Sequence, residues 1–182
     1  MRRIQQRRVA PRGTGRSGSM DEACFVAAFG AVFEHSPWVA AAVHAAGGAR
    51  FAAEPEALAD LFEQVVMNAP RARQLALIRA HPQLAVGLSN AAGLTAASRA
   101  EQSGAGLDQC SPAEFGTFRE LNAAYLERFG FPFILAVRGL DRDQVLQRLR
   151  ARVGNDAATE FSNALREVCR IGRLRLRERH DG

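Results

Sequence analysis

The chain reads as an all-α protein: a single compact bundle of about eight helices behind a disordered N-terminal tail. Three observations carry this reading. Apolar residues recur at helical spacing along most of the chain, Gly and Pro breaks separate the stripes, and only one short stretch has strand character. With 182 residues, 47% hydrophobic and 24% charged, the chain has enough for one core that buries roughly 70% of its unfolded surface, and too little for two large domains.

In chain order, short helices are expected over 21–34 and 37–46, ahead of the Gly47-Gly48 break. Leu58, Leu61, Phe62, Val65 and Val66 then fall at i, i+3, i+4, i+7 and i+8, one face of an amphipathic helix. Helices over 70–80 and 95–104 follow, bounded by His81-Pro82 and Gly106. Phe115, Phe118, Asn122, Tyr125 and Phe129 trace the next stripe, opened by Ser111 as cap and Pro112 in the first turn, and ended by Gly130. Phe131 to Val137 looks strand-like, but a lone strand has no partner for its backbone, so a buried extended turn or a short helix is expected there. Asp141 starts a helix marked by Leu146, Leu149 and Val153, and after Gly154-Asn155 a last helix runs from near Asp156 to about Arg179.

Charge is concentrated at one end. Six arginines and no acid lie in residues 1–16, and removing them from the net charge of +5 leaves about −1 for the rest. Three readings of residues 1–20 stand side by side: a disordered extension, an Arg-rich targeting segment without a clear amphipathic stripe, and a nucleic-acid arm without interleaved aromatics. Gly13, Gly15 and Gly18 spell G-x-G-x-x-G, yet Arg- and Gln-rich residues stand where the dinucleotide fingerprint needs a buried strand.

Composition excludes several chemistries. All 24 basic residues are arginine, so a Schiff base, the usual anchor of pyridoxal phosphate and a Walker phosphate loop are ruled out. No apolar run approaches the ~20 residues of a membrane helix. The three cysteines, Cys24, Cys110 and Cys169, lack paired spacing and point to a reducing compartment, so a cytoplasmic location is expected. Neither a zinc motif nor G-x-S-x-G occurs, and no metal site is expected among the histidines His35, His44, His81 and His180.

Three candidates for chemistry remain. His81 follows an apolar helix and precedes Pro82, which ends that helix. A histidine there feels the negative end of the helix dipole, which would raise its pKa, although on pattern alone the plainer reading is that it caps the last carbonyls. Ser98, Glu101 and Gln102 stand at i, i+3 and i+4 and offer a hydroxyl, a carboxylate and an amide to one small polar ligand. The alternative is that Ser98 and Glu101 form a capping box, although Thr95, nearer the Gly93 break, is the better cap. Arg175 continues the apolar stripe Phe161, Leu165, Val168, Gly172, so its guanidinium needs an anionic or carbonyl partner, in a ligand or in the protein, unless it snorkels to solvent.

Taken together, Arg79-Ala80-His81-Pro82-Gln83-Leu84-Ala85, Ser98-Arg99-Ala100-Glu101-Gln102 with Ala105-Gly106-Leu107, and Gly130-Phe131-Pro132-Phe133-Ile134 resemble the OHCU decarboxylases. OHCU is 2-oxo-4-hydroxy-4-carboxy-5-ureidoimidazoline, an intermediate of urate breakdown. Phe29-Gly30, Glu34-His35-Ser36-Pro37-Trp38 and Ile171 to Leu176 fit as well, so the resemblance covers nearly everything from Asp21 to Arg179. It implies an all-α domain over 21–180, usually a homodimer, that turns OHCU into (S)-allantoin with no cofactor and with neither nucleic acid nor membrane as partner. By the same resemblance His81 is the catalytic histidine and Glu101 its carboxylate partner; from the chemistry, Glu101 is expected to engage the substrate hydroxyl, orient His81 and hold its imidazolium ready near neutral pH. Ser98 and Gln102 bind polar substrate groups, Pro82 lines the pocket, Ile134 offers backbone contacts and Arg175 grips the substrate. The family pattern is departed from at Gln83, where an acidic or other polar residue is common, and in the Arg-rich extension. Two rivals stay open: a non-catalytic helical binding module in which His81 and Glu101 are caps, and a nucleic-acid binder acting through the tail.

Overall fold

The computed structural model describes residues 20–85 and 94–181. Of the extension expected over 1–20, only Met20 falls among them; the rest, with the Gly13-to-Gly18 motif, lies outside the described residues. Eight α-helices and two short 3-10 turns account for the ordered elements, and no strand occurs among the described residues.

Helix α1 (Glu22–Phe29) starts on Asp21, whose carboxylate accepts from the Cys24 N–H at 2.8 Å. It is shorter than the 21–34 expected. Gly30 closes it with an N–H bond to the Val26 carbonyl (2.7 Å), and residues 30–37 turn away as a loop. The physical reason is burial: Val32, Phe33 and Glu34 all pack inward, and continued helix would not aim all three at the core. Helix α2 (Trp38–Ala45) follows, then a 3-10 turn at Gly48–Phe51.

Helix α3 (Pro55–Asn68) buries Leu58, Ala59, Phe62 and Val66, and packs along the longest helix, α8 (Ala157–Asp181). Their outer edge is laced by Arg173, which donates to Glu56 (3.1 Å), Asp60 (2.6 Å) and Glu63 (3.0 Å). Helix α4 (Arg71–Arg79) leads to the His81-Pro82 break, and α5 (Ala96–Gly104) begins on Thr95, whose hydroxyl accepts from the Ser98 N–H at 3.2 Å. Thr95 is therefore the cap, which leaves the Ser98 side chain free for other work. Helix α6 (Pro112–Phe129) opens with the Ser111–Glu114 capping box and ends at Gly130, whose φ of 73° suits glycine; α7 (Arg142–Arg152) opens with a second box, Asp141–Gln144.

The Phe131–Val137 stretch is extended and buried, with no strand beside it. Side chains take the place of a partner strand. Arg79 donates to the Gly130 carbonyl (2.9 Å), Arg152 to the Ile134 carbonyl (2.8 Å), and Glu167 accepts from the Ala136 N–H (2.8 Å). Arg152 is held in turn by fully buried Glu160, which also accepts from Tyr125, Asn155 (2.7 Å) and Asn163 (3.2 Å).

One glycine matters for packing. At Gly172 of α8 a Cβ would stand 2.6 Å from the Phe33 ring, so only glycine lets the 30–37 loop seat itself on α8. Gly172→Ala should lower stability to urea by about 1–3 kcal/mol while helical circular dichroism is retained; an unchanged unfolding midpoint would show that the loop is not held by this contact.

Candidate active site

The tertiary structure brings two carboxylates and a hydroxyl, from the 30–37 loop and α5, onto one buried guanidinium of α8. Arg175 is 6% exposed. Its Nε and Nη2 donate to the two oxygens of Glu101 at 2.7 and 2.8 Å, a bidentate pair, and Nη1 donates to the Val32 carbonyl at 3.1 Å. Nη2 also reaches Glu34 Oε1 (3.2 Å) and Ser98 Oγ (3.1 Å). The partner that its place on the apolar stripe demands is thus the protein's own. Snorkelling to solvent does not occur.

Glu34 is the member that sequence reasoning missed. It lies in the 30–37 loop, 4% exposed, and its Oε1 accepts from Thr95 Oγ1 (2.8 Å), Ser98 Oγ and Arg175. Oε2 is buried and has no hydrogen-bond partner. Burial, the largest influence, pushes this carboxyl upward, but the Ser98 and Thr95 hydroxyls, with the Arg175 charge and that of His81 when protonated, outweigh it, and the group stays below its ordinary range. A signal for it was present: an arginine on an apolar stripe needs a buried anion, and Glu34 is the acid embedded in Val32-Phe33-Glu34.

His81 sits just past α4, where Pro82 keeps it out of the helix. Its Nδ1 lies 3.2 Å from the Pro82 carbonyl. A carbonyl only accepts, so Nδ1 carries the hydrogen and Nε2 presents a lone pair. That Nε2 is buried without a partner. Burial, the largest influence, pulls the His81 pKa below its ordinary value; Glu34, the Pro82 hydrogen bond and Glu101 oppose it, and Arg175 reinforces it. This reverses the expectation from the helix dipole and from a Glu101 partnership: His81 rests as neutral imidazole, because desolvation of the cation outweighs the dipole and the nearby carboxylates. Glu101 acts on His81 through its charge, while both its hydrogen bonds go to Arg175.

The other expected residues divide. Ser98 joins the cluster, donating to Glu34 and accepting from Arg175. Gln102 turns to the segment behind His81-Pro82, its Oε1 accepting from the Ala85 N–H (3.0 Å) and its Nε2 donating to the Gln83 carbonyl (3.2 Å). Asn122, also missed, donates to the Leu84 carbonyl at 2.9 Å. These bonds hold Ala85 at a φ of 52°, a conformation that alanine rarely adopts. Pro82 lies beside the histidine as the acceptor of its ring hydrogen. The Ile134 carbonyl, where the resemblance implies a ligand contact, is committed to Arg152, and Ile134 itself is fully buried. Glu101 also lines a surface cleft of about 200 Å³ with Ala97, Ala100, Gly104, Arg138, Gly139 and Glu178, a cleft that His81, Glu34, Ser98 and Arg175 do not line. Among the described residues no group of three or more His, Cys, Asp or Glu side chains is arranged to hold a metal ion.

The family model of the OHCU decarboxylases matches residues 18–177. A 2-oxo-4-hydroxy-4-carboxy-5-ureidoimidazoline decarboxylase of Haloferax volcanii is 42% identical over 160 residues, spanning 88% of this chain and 91% of that protein. The uric acid degradation bifunctional protein PucL of Bacillus subtilis is 38% identical over 160 residues, 86% of this chain but 30% of PucL. Among solved structures, an (S)-allantoin synthase superposes with a TM-score of 0.69 at 30% identity, covering 87% of this chain and 50% of that one.

Gln102→Ala should free the segment behind Pro82. Stability should fall by about 1–3 kcal/mol as the Ala85 N–H and Gln83 carbonyl lose their partner, and hydrogen-exchange mass spectrometry should show faster exchange around Ala85. Protection equal to the unmodified chain would mean that Gln102 does not hold this segment.

Proposed function

Because the chain belongs to the OHCU decarboxylase family, we propose that it removes carbon dioxide from OHCU in urate degradation, forms (S)-allantoin without a cofactor, and uses His81 and Glu101 as its catalytic pair. The observation that carries this reading is the cluster itself: a buried arginine bound by two carboxylates, next to a histidine whose basic nitrogen is buried and unengaged.

OHCU bears its carboxylate and hydroxyl on C4 and its ureido group on C5. When the bond from C4 to the carboxylate breaks, the electron pair forms a C4=C5 double bond and the ring imine electrons move onto nitrogen, which takes a proton. The resulting enol loses its O–H proton, and C5 gains one, so a single proton is consumed overall. The protein has to hold the leaving carboxylate out of the ring plane, stabilise the enol oxygen and deliver the C5 proton to one face.

The residues suit these tasks. Each Glu101 oxygen accepts one bond from Arg175 and keeps a lone pair for the substrate hydroxyl. Arg175 has one Nη1 hydrogen beyond those committed to protein acceptors, available to a substrate oxygen. Ser98 has given its proton to Glu34 and can accept from a ring or ureido N–H. Neutral His81 takes the hydroxyl proton at Nε2 and returns it to carbon. This assignment keeps Glu101 on the substrate hydroxyl and leaves the proton to His81. The same reading has the enzyme working in the cytoplasm as a homodimer: three unpaired thiols suit a reducing compartment, and the dimer rests on family resemblance.

Decay of freshly generated OHCU, followed by circular dichroism, tests the assignment. His81→Ala and Glu101→Ala should each slow turnover by roughly 100-fold or more in folded protein, whereas near-normal rates in both would remove these roles. An unmodified chain that leaves OHCU at its spontaneous rate would favour the binding module. The pH profile has a definite sign. With the His81 pKa lowered below about 6.5, the active neutral form dominates at pH 7, so kcat/KM should be level from there upward and fall about tenfold per unit below that pKa.

A further inference from the structure

We propose that Glu34 is a positioning residue of this site: its Oε1 orders Ser98, Thr95 and Arg175, and its free Oε2 is the counter-charge that allows His81 to take up a proton at Nε2. The inference rests on His81 being the proton-handling group proposed above.

Two buried acceptors in the cluster have no partner, Glu34 Oε2 and His81 Nε2. With the ring hydrogen on Nδ1, both offer only lone pairs, so the resting site is short of one donor. A proton arriving on Nε2 supplies it and turns the ring into a cation beside a carboxylate. Charged groups reach His81 from three elements: Glu34 from the 30–37 loop, Glu101 from α5 and Arg175 from α8. Arg175 opposes the imidazolium and both carboxylates favour it, but they are not equivalent. Glu101 is bound at both oxygens by Arg175, which cancels much of its field, whereas Glu34 meets Arg175 through one oxygen and keeps the other clear. Of the two carboxylates, Glu34 is accordingly the stronger influence on the ring, and Glu101 the weaker.

Glu34 stays ionised because Ser98 and Thr95 donate to it, which makes those hydroxyls part of the same device. The hydroxyl proton leaves for Nε2, resides there while Glu34 balances its charge, and passes to the ring carbon as the C–O bond becomes a carbonyl; the one proton consumed overall, at the ring nitrogen, comes from water. Gly172 extends the arrangement to the fold, since a Cβ there would meet the ring of Phe33, the residue before Glu34.

The test is a titration of the unliganded protein, with ring-labelled histidine followed by NMR and the His81 signal assigned by its loss in His81→Asn. Glu34→Gln removes the charge and keeps the shape, and it should lower the His81 pKa by about one unit or more. The acid limb of kcat/KM should move to lower pH by the same amount, with the loss falling on kcat more than on KM. Glu34→Asp, which keeps the charge but withdraws it, should give a smaller downward shift, and it decides the matter if Glu34→Gln does not fold. A purely structural glutamate would cost stability and leave the titration in place, so an unmoved His81 midpoint in a folded variant overturns the proposal. Since the titration needs no substrate, it succeeds or fails independently of whether OHCU is turned over.

Discussion

A guanidinium buried in a helical core is the constraint from which the rest of this site follows. Taking the Arg175 charge out of water is costly unless anions and acceptors surround it. The protein meets that demand from two separate stretches, Glu101 and Ser98 from α5, and Glu34 and the Val32 carbonyl from the loop after α1. Each contributor is thereby fixed relative to the others.

The same economy appears in the segments that are not helical. An all-α fold has no sheet to absorb the polar backbone of an extended stretch, yet Phe131 to Val137 and Leu84-Ala85 are both buried. Long side chains from neighbouring helices close the account: Arg79, Arg152 and Glu167 for the first, Gln102 and Asn122 for the second. Arg152 depends in turn on the Glu160 cluster that joins α6, α7 and α8. Hydrogen bonds from helix side chains thus tie down the irregular segments.

Much of this was legible in the chain. Period-3.6 stripes, caps such as Ser111 and Asp141, and breaks at Gly130 and Pro82 located the helices within a few residues, because amphipathic spacing and capping are local properties. Thr95 was identified as the cap of α5, and Arg175 was singled out because one charged residue interrupts an apolar stripe. The first helix was drawn too long because Phe33 and Glu34 carry on a plausible helical pattern, and only their packing on Gly172 and Arg175 shows that the loop is preferred.

Protonation was the less legible part. From the sequence, His81 had a helix dipole and a carboxylate partner to raise its pKa; the folded chain adds burial, a through-space effect with no linear signature, and reverses the sign. Pairing was hidden for the same reason. That Glu101 meets Arg175 and not His81, and that Glu34 comes within range of both, depends on how α5, α8 and the loop cross. The sequence by itself determined the helices, their caps and the residue types available for chemistry, since these follow from spacing along one chain. Only the tertiary structure decided which charges share a dry interior, because desolvation and Coulomb energy depend on distances between elements that the linear order does not contain.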